Sequence, residues 1–496
     1  MTAFGDFPPA KPSLSEASGD LDPTDWSDIR AIGHRMLDDV FSDLENLRAQ
    51  PVWRPMPDSV RRAWHAPLPH APTDLAKIYD VYCRDIAPYA TGNRHPRFMG
   101  WVHGGGTVVG MLAEMLAGGL NANLGGRDHA PIACEQQVIR WAAEMLGFPS
   151  DASGLVVTGT SMANLMAGRV ARTDALGPKI RTSGLGDAGI TAYASAAVHG
   201  CVARAMDIAG IGSDALRLIS CGTDGGMDLP ALRSAITADR AGGLQPFLVV
   251  GTAGSVDTGA IDDLAGLADC CATEKLWFHV DAAFGAIALL SAAKKPLLAG
   301  IERADSVAFD FHKWAQVPYD AGCLVVRDEA RHRAAFERPA SYLQRETRGL
   351  AAGSPWPCDF GPDLSRGFRA LKIWMTLSAY GADRLGDIVD RTCALARYLA
   401  DRIDREPRLE RAAPVHLNIV CFRLHGGDDA LQATIAADLQ EAGIAAPSTT
   451  RIDGRVVLRA AIVNHRTRED DIDTLIDAVL AAAEASRGCG RSPGWE

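Results

Sequence analysis

The chain has 496 residues, of which 47% are apolar and 22% charged, and its formal net charge is −11. This length supports two or three domains with a large buried core, and the acidic balance, with no cluster of Lys and Arg, argues against a nucleic-acid partner. The 11 cysteines are scattered without a C-x-x-C pair, which argues against a disulfide framework or a structural zinc site and predicts free thiols in a reducing compartment.

The first part of the chain predicts a leader followed by helices. Residues 1–25 are rich in Pro, Ser, Asp and Gly, which is typical of a flexible leader, and they lack the basic and apolar segments of a secretory signal. Over residues 26–95 apolar residues recur at helical spacing, as in IRAIGHRMLDDVFSDL, and prolines divide the segment. Such a thin segment cannot bury its own apolar face, so we expect it to pack on a larger body or on a second subunit. Because no apolar run reaches the ~18 residues of a membrane-spanning helix, we predict a cytoplasmic protein.

The centre of the chain, residues 96–375, alternates short apolar runs with helical patterns. This alternation predicts a large α/β domain on a mostly parallel, seven-stranded sheet. The last two runs, SVAFDF (306–311) and CLVVRD (323–328), are joined by too few residues for a crossover helix, so we expect them to be antiparallel. Two later apolar runs, VHLNIVCFRL (415–424) and RVVLRAAIV (455–463), read as strands with a helix between them. They predict a small C-terminal α/β domain over residues 376–485, followed by a tail over 486–496. Ligands of such sheets bind beyond the carboxyl ends of the strands.

The segment VVTGTSMANLMAGRVA (156–171) reads as a strand, a tight turn and a helix. Gly159, Thr160 and Ser161 place backbone N–H groups and two hydroxyls at the helix N-terminus, where an anion such as phosphate binds. Ordinary Ser/Thr capping explains the same pattern equally well. A third interpretation is a nucleophile elbow built on Ser161, although Ala163 replaces the last glycine of G-x-S-x-G.

Two further polar side chains follow predicted strands. Asp281 ends an otherwise apolar strand, where it either caps the next turn or pairs with a cationic group, since a buried charge needs a partner. His199 follows another strand where a helix begins, and a histidine in that position is more often structural than catalytic.

Lys313, in the motif FDFHKW, ends a buried strand where its charge is poorly solvated. One strand–helix–strand unit separates it from Asp281, and Ser161 and His199 emerge at the same edge of the predicted sheet. A lysine that forms a Schiff base, a phosphate-binding turn and a buried acid beside a pyridinium nitrogen are what a protein contributes to pyridoxal 5′-phosphate (PLP) chemistry. A serine hydrolase would use Ser161 but would leave Lys313 without a role.

These motifs together resemble those of the group II PLP-dependent amino-acid decarboxylases, the family that includes the aromatic-L-amino-acid decarboxylases. The resemblance implies the fold type I scaffold of the aspartate aminotransferases, with the small C-terminal domain and the helical N-terminal segment. It covers most of residues 80–380. The stretches that carry it are HPRFMGW (95–101), APIACEQQVIRWAAEMLGFP (130–149), HVDAA (279–283), DFHKW (310–314) and RGFRALKIW (366–374).

The resemblance also implies roles for individual residues. Lys313 would form the Schiff base with PLP, Asp281 would pair with the pyridine nitrogen, and His199 would stack on the ring, which makes these three the implied catalytic residues. The implied cofactor-binding residues lie around the ring and the phosphate and are Thr160, Ser161, His199, Thr252, Asp281, Ala283, Asp310, His312 and Lys313. The family often has Asn where this chain has Asp310, which places a second anion near a phosphate.

On the substrate side, the resemblance points to His95, Phe98 and Trp101, which belong to a segment similar to the one that lines the family's substrate pocket. The alternative to substrate binding is that these residues form an aromatic patch that packs under the Gly-rich stretch. That stretch, HGGGTVVG, is not a dinucleotide fingerprint, because Val109 replaces the last glycine and no strand precedes it. The rings permit an aromatic substrate without demanding one. The family also implies a homodimer with the active site at the interface.

The chain departs from the family at the expected proton donor. Family decarboxylases use a tyrosine on a mobile loop, and counting back without gaps from RGFRALK puts that position at Pro357. Tyr342 resembles a different, upstream tyrosine. We expect decarboxylation to the amine. In this family, loss of the loop tyrosine is associated with aldehyde-forming oxidative deamination, so the aldehyde is kept as an alternative product. A protein that binds PLP without turning over any amino acid is a third hypothesis. Arg366 and Arg369 belong to the family's R-x-x-R-A-L-K pattern. They have either a functional role in the site or a structural role as ion-pair donors.

Overall fold

The computed structural model describes residues 21–23, 25–338 and 345–488. The chain divides into two compact units, one made of the residues up to Gln50 with Arg54–Ala90, the other of Pro51–Trp53 with the chain from Thr91 on. Most of the predicted leader and tail, and Tyr342, lie outside the described residues. The domain boundaries predicted from the sequence stay predictions.

The first unit is helical, with helices at Trp26–Glu45, Asp58–Ala63 and Leu75–Val81. The carboxylate of Asp25 caps the first helix by accepting from the Ser27 backbone N–H at 2.8 Å, as is common at helix N-termini. The Tyr79 hydroxyl donates to Asp39 at 2.9 Å and so joins the third helix to the first. The Trp26–Glu45 helix buries none of its residues, and Trp26 is 59% exposed. The segment therefore leaves apolar surface uncovered.

The second unit contains a large mixed sheet. Its strands and those of a smaller sheet, in chain order, are β1 Phe98–Met99, β2 Ser153–Val157, β3 Ile190–Ser195, β4 Leu216–Ile219, β5 Gln245–Thr252, β6 Trp277–Asp281, β7 Ser306–Asp310, β8 Gly322–Val326, β9 Leu409–Arg411, β10 Ile419–Leu424, β11 Ala446–Ile452 and β12 Arg455–Ala461. Within the described residues the large sheet has seven strands in the order β2-β8-β7-β6-β5-β3-β4. Neighbours are parallel except for β8, which is antiparallel to both β2 and β7. The predicted seven-stranded, mostly parallel sheet is confirmed, as is the antiparallel β7–β8 pair.

Both faces of this sheet are buried under helices. Successive strand residues point to opposite faces, and in β8 Cys323 and Val325 join one apolar core while Leu324 and Val326 join the other. The continuous apolar runs in the sequence follow from this double burial. The helices of this part are Val108–Leu120, Ala130–Leu146, Thr160–Leu176, Ile180–Ser183, Cys201–Ile208, Leu229–Ala241, Leu264–Glu274 and Glu329–Phe336.

The C-terminal part, together with β1, forms a second sheet in the order β1-β11-β12-β10-β9 within the described residues. Strands β10 and β12 were predicted, whereas β9 and β11 were not, because β9 is three residues long and β11 reads APSTTRI, without an apolar run. The helices here are Ala370–Tyr380, Ala382–Arg405, Asp429–Glu441 and Glu469–Gly488. None of the helices in the described ranges has both the length and the apolar character needed to cross a bilayer.

A buried ion pair fixes the end of β2. Arg366 Nη1 lies 3.0 Å from Glu135 Oε2, and the two side chains are only 2% and 5% exposed. Arg366 also donates to the Val156 carbonyl, and Glu135 accepts from the Val156 N–H, so the charges are paired and hydrogen-bonded as burial requires. Arg369 Nε pairs with Asp320 at 2.8 Å. Both arginines therefore take part in ion pairs, and whether they also have a functional role stays a prediction.

Candidate active site

The candidate site lies at one edge of the large sheet, where the carboxyl ends of several strands meet. Strands β2, β5, β6 and β7 run in the same direction, because β2 and β7 are both antiparallel to β8. Thr252 and Asp281 are the last residues of β5 and β6, Asp310 is the last of β7, and Thr160 and Lys313 each follow a strand by three residues. The fold thus brings together residues separated by up to 153 positions (313 − 160).

Lys313 is paired with a buried carboxylate. Its Nζ lies 2.9 Å from Asp310 Oδ2, with the Asp310 side chain 3% and the Lys313 side chain 24% exposed. Asp310 Oδ1 accepts from the Thr160 backbone N–H at 2.8 Å, so the same carboxylate also caps the Thr160–Leu176 helix. This pairing explains how a lysine charge is accommodated at the end of a buried strand. It also means that the Thr160 N–H, one of the donors of the predicted anion-binding turn, already donates to Asp310.

His312 is buried and its tautomer follows from its hydrogen bonds. Its Nδ1 accepts from the Ala321 backbone N–H at 2.9 Å, so the proton of the neutral ring is on Nε2, which lies 3.7 Å from Asp310 Oδ2. Burial lowers the pKa of His312, the Asp310 charge opposes this, and the Lys313 charge lowers the pKa further. The ring is therefore neutral at pH 7.

Asp281 is a buried carboxylate at the end of β6, 4% exposed. Its Oδ2 accepts from Asn164 Nδ2 at 2.8 Å and its Oδ1 accepts from the Ala283 backbone N–H at 3.1 Å. The Ala283 carbonyl in turn accepts from the Asp310 N–H at 3.0 Å, which ties the ends of β6 and β7 together. Burial raises the pKa of Asp281, and the Asn164 hydrogen bond, the Lys313 charge and the Ala283 N–H oppose the rise.

A chain of hydrogen bonds behind Asp281 has a defined polarity. Because a carboxylate only accepts, the Asn164 amide nitrogen faces Asp281, and its Oδ1 accepts from His279 Nε2 at 2.8 Å. His279 Nδ1 then accepts from the Ser306 hydroxyl at 2.8 Å, and Ser306 Oγ accepts from Trp277 Nε1 at 2.9 Å. Burial lowers the pKa of His279 to about 4, which keeps its ring neutral. Every donor points toward Asp281, so the chain stabilises the ionised carboxylate.

His199 and Ser161 lie on the exposed side of the site. His199 Nδ1 accepts from the Cys201 backbone N–H at 3.2 Å. In the described part of the chain no hydrogen bond joins Ser161 to a histidine, so the geometry offers no support for a serine nucleophile with a histidine base.

Aromatic rings form the side of the site next to Lys313. Phe98 and Trp101 stack on His103 with ring centroids 5.7 Å and 5.9 Å away. Tyr319 lies edge-on to His103 at 5.9 Å and 4.3 Å from the His312 ring. We call Phe98, Trp101, His103 and Tyr319 the ring cluster.

His95, the third residue predicted to bind substrate, is 1% exposed. Its Nδ1 accepts from the Arg97 backbone N–H at 3.1 Å, a contact within its own turn. Its role in substrate binding stays a prediction.

Several residues of the site were missed from the sequence. His279 precedes Asp281 by two residues and so shares its face of the strand, and Asn164 lies one helical turn after Thr160; both signals were readable. Tyr319 lies six residues after Lys313 (319 − 313), on the return into β8. His103 gave no signal, because its place depends on how the Gly-rich stretch folds against the loop after β7.

Comparison with known proteins places the chain in a family. Residues 57–425 match the family model described as the pyridoxal-dependent decarboxylase conserved domain. The chain belongs to the pyridoxal-dependent decarboxylases. It is 31% identical over 469 residues to the aromatic-L-amino-acid decarboxylase of Bacillus atrophaeus, covering 92% of this chain and 96% of that protein. It is 32% identical over 420 residues to the L-2,4-diaminobutyrate decarboxylase of Rhizobium meliloti (strain 1021), covering 83% of each.

The comparison with solved structures shows the fold. The structure of Oryza sativa TDC with PLP and tryptamine superposes with a TM-score of 0.86 at 24% identity, covering 94% of this chain and 100% of that chain. The protein is a PLP-dependent amino-acid decarboxylase of fold type I, which confirms the predicted family, fold, enzyme class and cofactor.

The site of this decarboxylase suits PLP. Thr160 Oγ1 and Thr252 Oγ1 are both buried and have no hydrogen-bond partner within the described residues, although buried hydroxyls are normally satisfied. Both lie at the edge where Lys313 and Asp281 meet. Two unsatisfied hydroxyls, an amine and a buried carboxylate match the polar groups of PLP, which carries a phosphate, an aldehyde and a ring nitrogen.

Proposed function

We propose that this decarboxylase removes the carboxylate of an aromatic L-amino acid and releases the amine, with Lys313 as the covalent anchor of PLP. The observation that carries the proposal is the placement of Lys313 and Asp281 at the ends of adjacent parallel strands, with the ring cluster beside Lys313. When bound, PLP supplies an electron sink for the electron pair of the bond between Cα and the carboxylate.

The chain's own residues would bind and orient the reacting groups. Lys313 Nζ, held at 2.9 Å by Asp310, would attach the cofactor through its aldehyde. Asp281 would hold the proton on the ring nitrogen, because a buried carboxylate whose ionised form accepts hydrogen bonds favours a cationic neighbour. The hydroxyls of Thr160 and Thr252 would bind polar groups of the cofactor, with Ser161 and His312 nearby, and His199 would stack on its ring.

The ring cluster supports an aromatic substrate. Aromatic side chains pack favourably against one another in offset or edge-on geometry, and the cluster offers Trp101, 51% exposed, together with Tyr319. The carboxylate nearest in sequence to these rings, Asp320, is already paired with Arg369, so it does not select a cationic side chain. Similarity to the Bacillus aromatic-L-amino-acid decarboxylase supports the same class.

Aldehyde formation is the second candidate, and one observation favours it. Pro357, at the position where the family's loop tyrosine was expected, is buried in the short turn Pro357–Asp359. Neighbouring Trp356 uses its Nε1 to donate to the Ala352 carbonyl at 2.7 Å. This turn therefore offers no hydroxyl to protonate a substrate.

One panel of amino acids tests both candidates. We expect the holoenzyme to act on L-Trp, L-Tyr and L-Phe with kcat/KM about 10-fold or more above that for L-2,4-diaminobutyrate or L-Glu, because even one methylene more or less in an apolar pocket is worth about 1–3 kcal/mol. CO₂, amine, aldehyde and H₂O₂ are measured in parallel, with D-Trp as the control substrate. A preference for diaminobutyrate would overturn the substrate class, and aldehyde in equal amount to CO₂ would replace amine release.

We further propose that the enzyme is a homodimer. Support comes from the Trp26–Glu45 helix, which buries none of its residues, and apolar surface of this kind commonly pairs in homodimers. We expect small-angle scattering to report twice the chain mass at micromolar concentration, and Trp26→Lys to weaken association. A monomer with full activity would contradict this proposal.

A further inference from the structure

Tyr319 joins the ring cluster to the neighbour of Lys313. Its ring centroid lies 4.3 Å from that of His312 and 5.9 Å from that of His103, to which it is edge-on at 74°. Through His103 it connects to Phe98 and Trp101, the residues predicted to bind substrate. The phenol therefore lies between the predicted substrate side and the residue that precedes Lys313.

The position of this phenol is fixed by its surroundings. Asp320, the next residue, accepts from Arg369 Nε at 2.8 Å, which anchors the loop. The backbone N–H of Gly104 lies near enough to the phenol oxygen to lower the pKa of Tyr319 and so partly opposes the rise that desolvation causes. Gly104 itself lies against Lys313, since a Cβ there would come within 2.4 Å of the Lys313 carbonyl oxygen. The phenol oxygen is thus held beside backbone that contacts Lys313.

Two other groups around Lys313, the rings of His312 and His103, are poor acids in this geometry. The His312 Nε2 proton faces Asp310, and its Nδ1 already accepts from Ala321. Burial lowers the pKa of His103, and the Lys313 charge lowers it further, so that ring is neutral at pH 7. Tyr319 differs, because desolvation of its phenol group raises its pKa well above the ordinary value and the Asp310 charge adds to the rise, although the residue as a whole is partly exposed. The phenol therefore keeps its proton across the physiological range.

We propose that Tyr319 is the acid that returns a proton to Cα after CO₂ has left, an inference that rests on the proposed decarboxylation. The phenol O–H bond breaks and a C–H bond forms at Cα with the electron pair that the departing carboxylate leaves. The Gly104 N–H stabilises the phenolate, which regains its proton from solvent, since Tyr319 is 47% exposed. Where the proton is not delivered, dissolved O₂ takes the electrons instead, and the amino acid, O₂ and water give aldehyde, CO₂, ammonia and H₂O₂.

Tyr319→Phe tests this assignment, because it keeps the ring and removes only the hydroxyl. We expect kcat for the amine to fall about 10²-fold or more, the usual contribution of a general acid, with KM changed much less. In air the aldehyde and H₂O₂ share of the product should rise. Tyr380→Phe, at the end of the Ala370–Tyr380 helix, is the matched control and should leave both unchanged. An unchanged amine rate in Tyr319→Phe, or a switch to aldehyde in Tyr342→Phe instead, would overturn the proposal.

Further measurements distinguish a failure of the Tyr319 assignment from a failure of the proposed decarboxylation. Ultraviolet difference titration of the cofactor-free wild type against Tyr319→Phe should show one phenol that ionises above the ordinary pKa of about 10; ionisation at or below that value would contradict the proposal. Tyr319→Phe should still bind PLP, and loss of binding would mark Tyr319 as structural. If Lys313→Ala still forms amine, the proposed function fails; if it does not but Tyr319→Phe is normal, only this inference fails.

Discussion

Lys313→Ala is expected to abolish amine formation and to leave PLP bound without a covalent link. Lys313 is the amine held at the end of β7 beside Asp310, and removal of a covalent catalytic group costs on the order of 10³-fold or more in kcat. Borohydride reduction followed by peptide mass mapping should attach the cofactor to the Lys313 peptide in the wild type and to no peptide in the variant.

Loss of folding must be distinguished from loss of chemistry in this experiment. Removing Lys313 leaves the buried Asp310 carboxylate without its counter-ion, and breaking a buried pair costs about 3–5 kcal/mol. Lys313→Arg keeps a cation opposite Asp310 and should fold like the wild type while remaining inactive. Lys295→Ala, an exposed lysine, is the matched control and should be fully active. Amine formation by both Lys313 variants would refute the anchor role.

Asp281→Asn is expected to reduce kcat by about two to four orders of magnitude. The substitution keeps the shape and a hydrogen bond to Asn164 but removes the charge that would hold the proton on the cofactor's ring nitrogen. Loss of one partner of a buried charge pair costs about 3–5 kcal/mol, and each 1.4 kcal/mol is about tenfold in rate. Steady-state kinetics on the PLP-loaded variant measure the effect, and activity within about threefold of the wild type would contradict the role of Asp281.

Asn164→Leu tests the same role of Asp281 more mildly, because it removes a hydrogen bond to the carboxylate and keeps the carboxylate itself. Asn164 lowers the pKa of Asp281 against the rise that burial causes, so its removal should raise that pKa further. Because Asp281 must be ionised to hold a ring proton, activity should then fail at a higher pH as the pH decreases, and the acidic limb of the kcat profile should move to higher pH. An acidic limb unchanged by Asn164→Leu would show that the hydrogen-bond chain does not set the charge of Asp281.

The elements of the large sheet could be read from local pattern alone. Short apolar runs such as SVAFDF and CLVVRD are strands because a sheet covered on both faces needs apolar residues at every position. The few residues between those two runs leave room for a return but not for a crossover helix, which settled their antiparallel pairing. Asp281 and Lys313 could be placed at one edge for the same reason, since parallel strands end together.

Contacts between residues far apart in the chain were decided only by the tertiary structure. The hydrogen bond from the Thr160 N–H to Asp310 depends on β7 and β2 flanking β8, and a strand order cannot be derived from periodicity. The donor chain that ends at Asp281 needs helix and strand residues in register. The ring cluster needs the Gly-rich stretch to pack against the loop after β7. Periodicity determines which residues form each element and which face they share, whereas hydrogen-bond partners, long-range charge pairing and the grouping of aromatic rings depend on how the elements assemble.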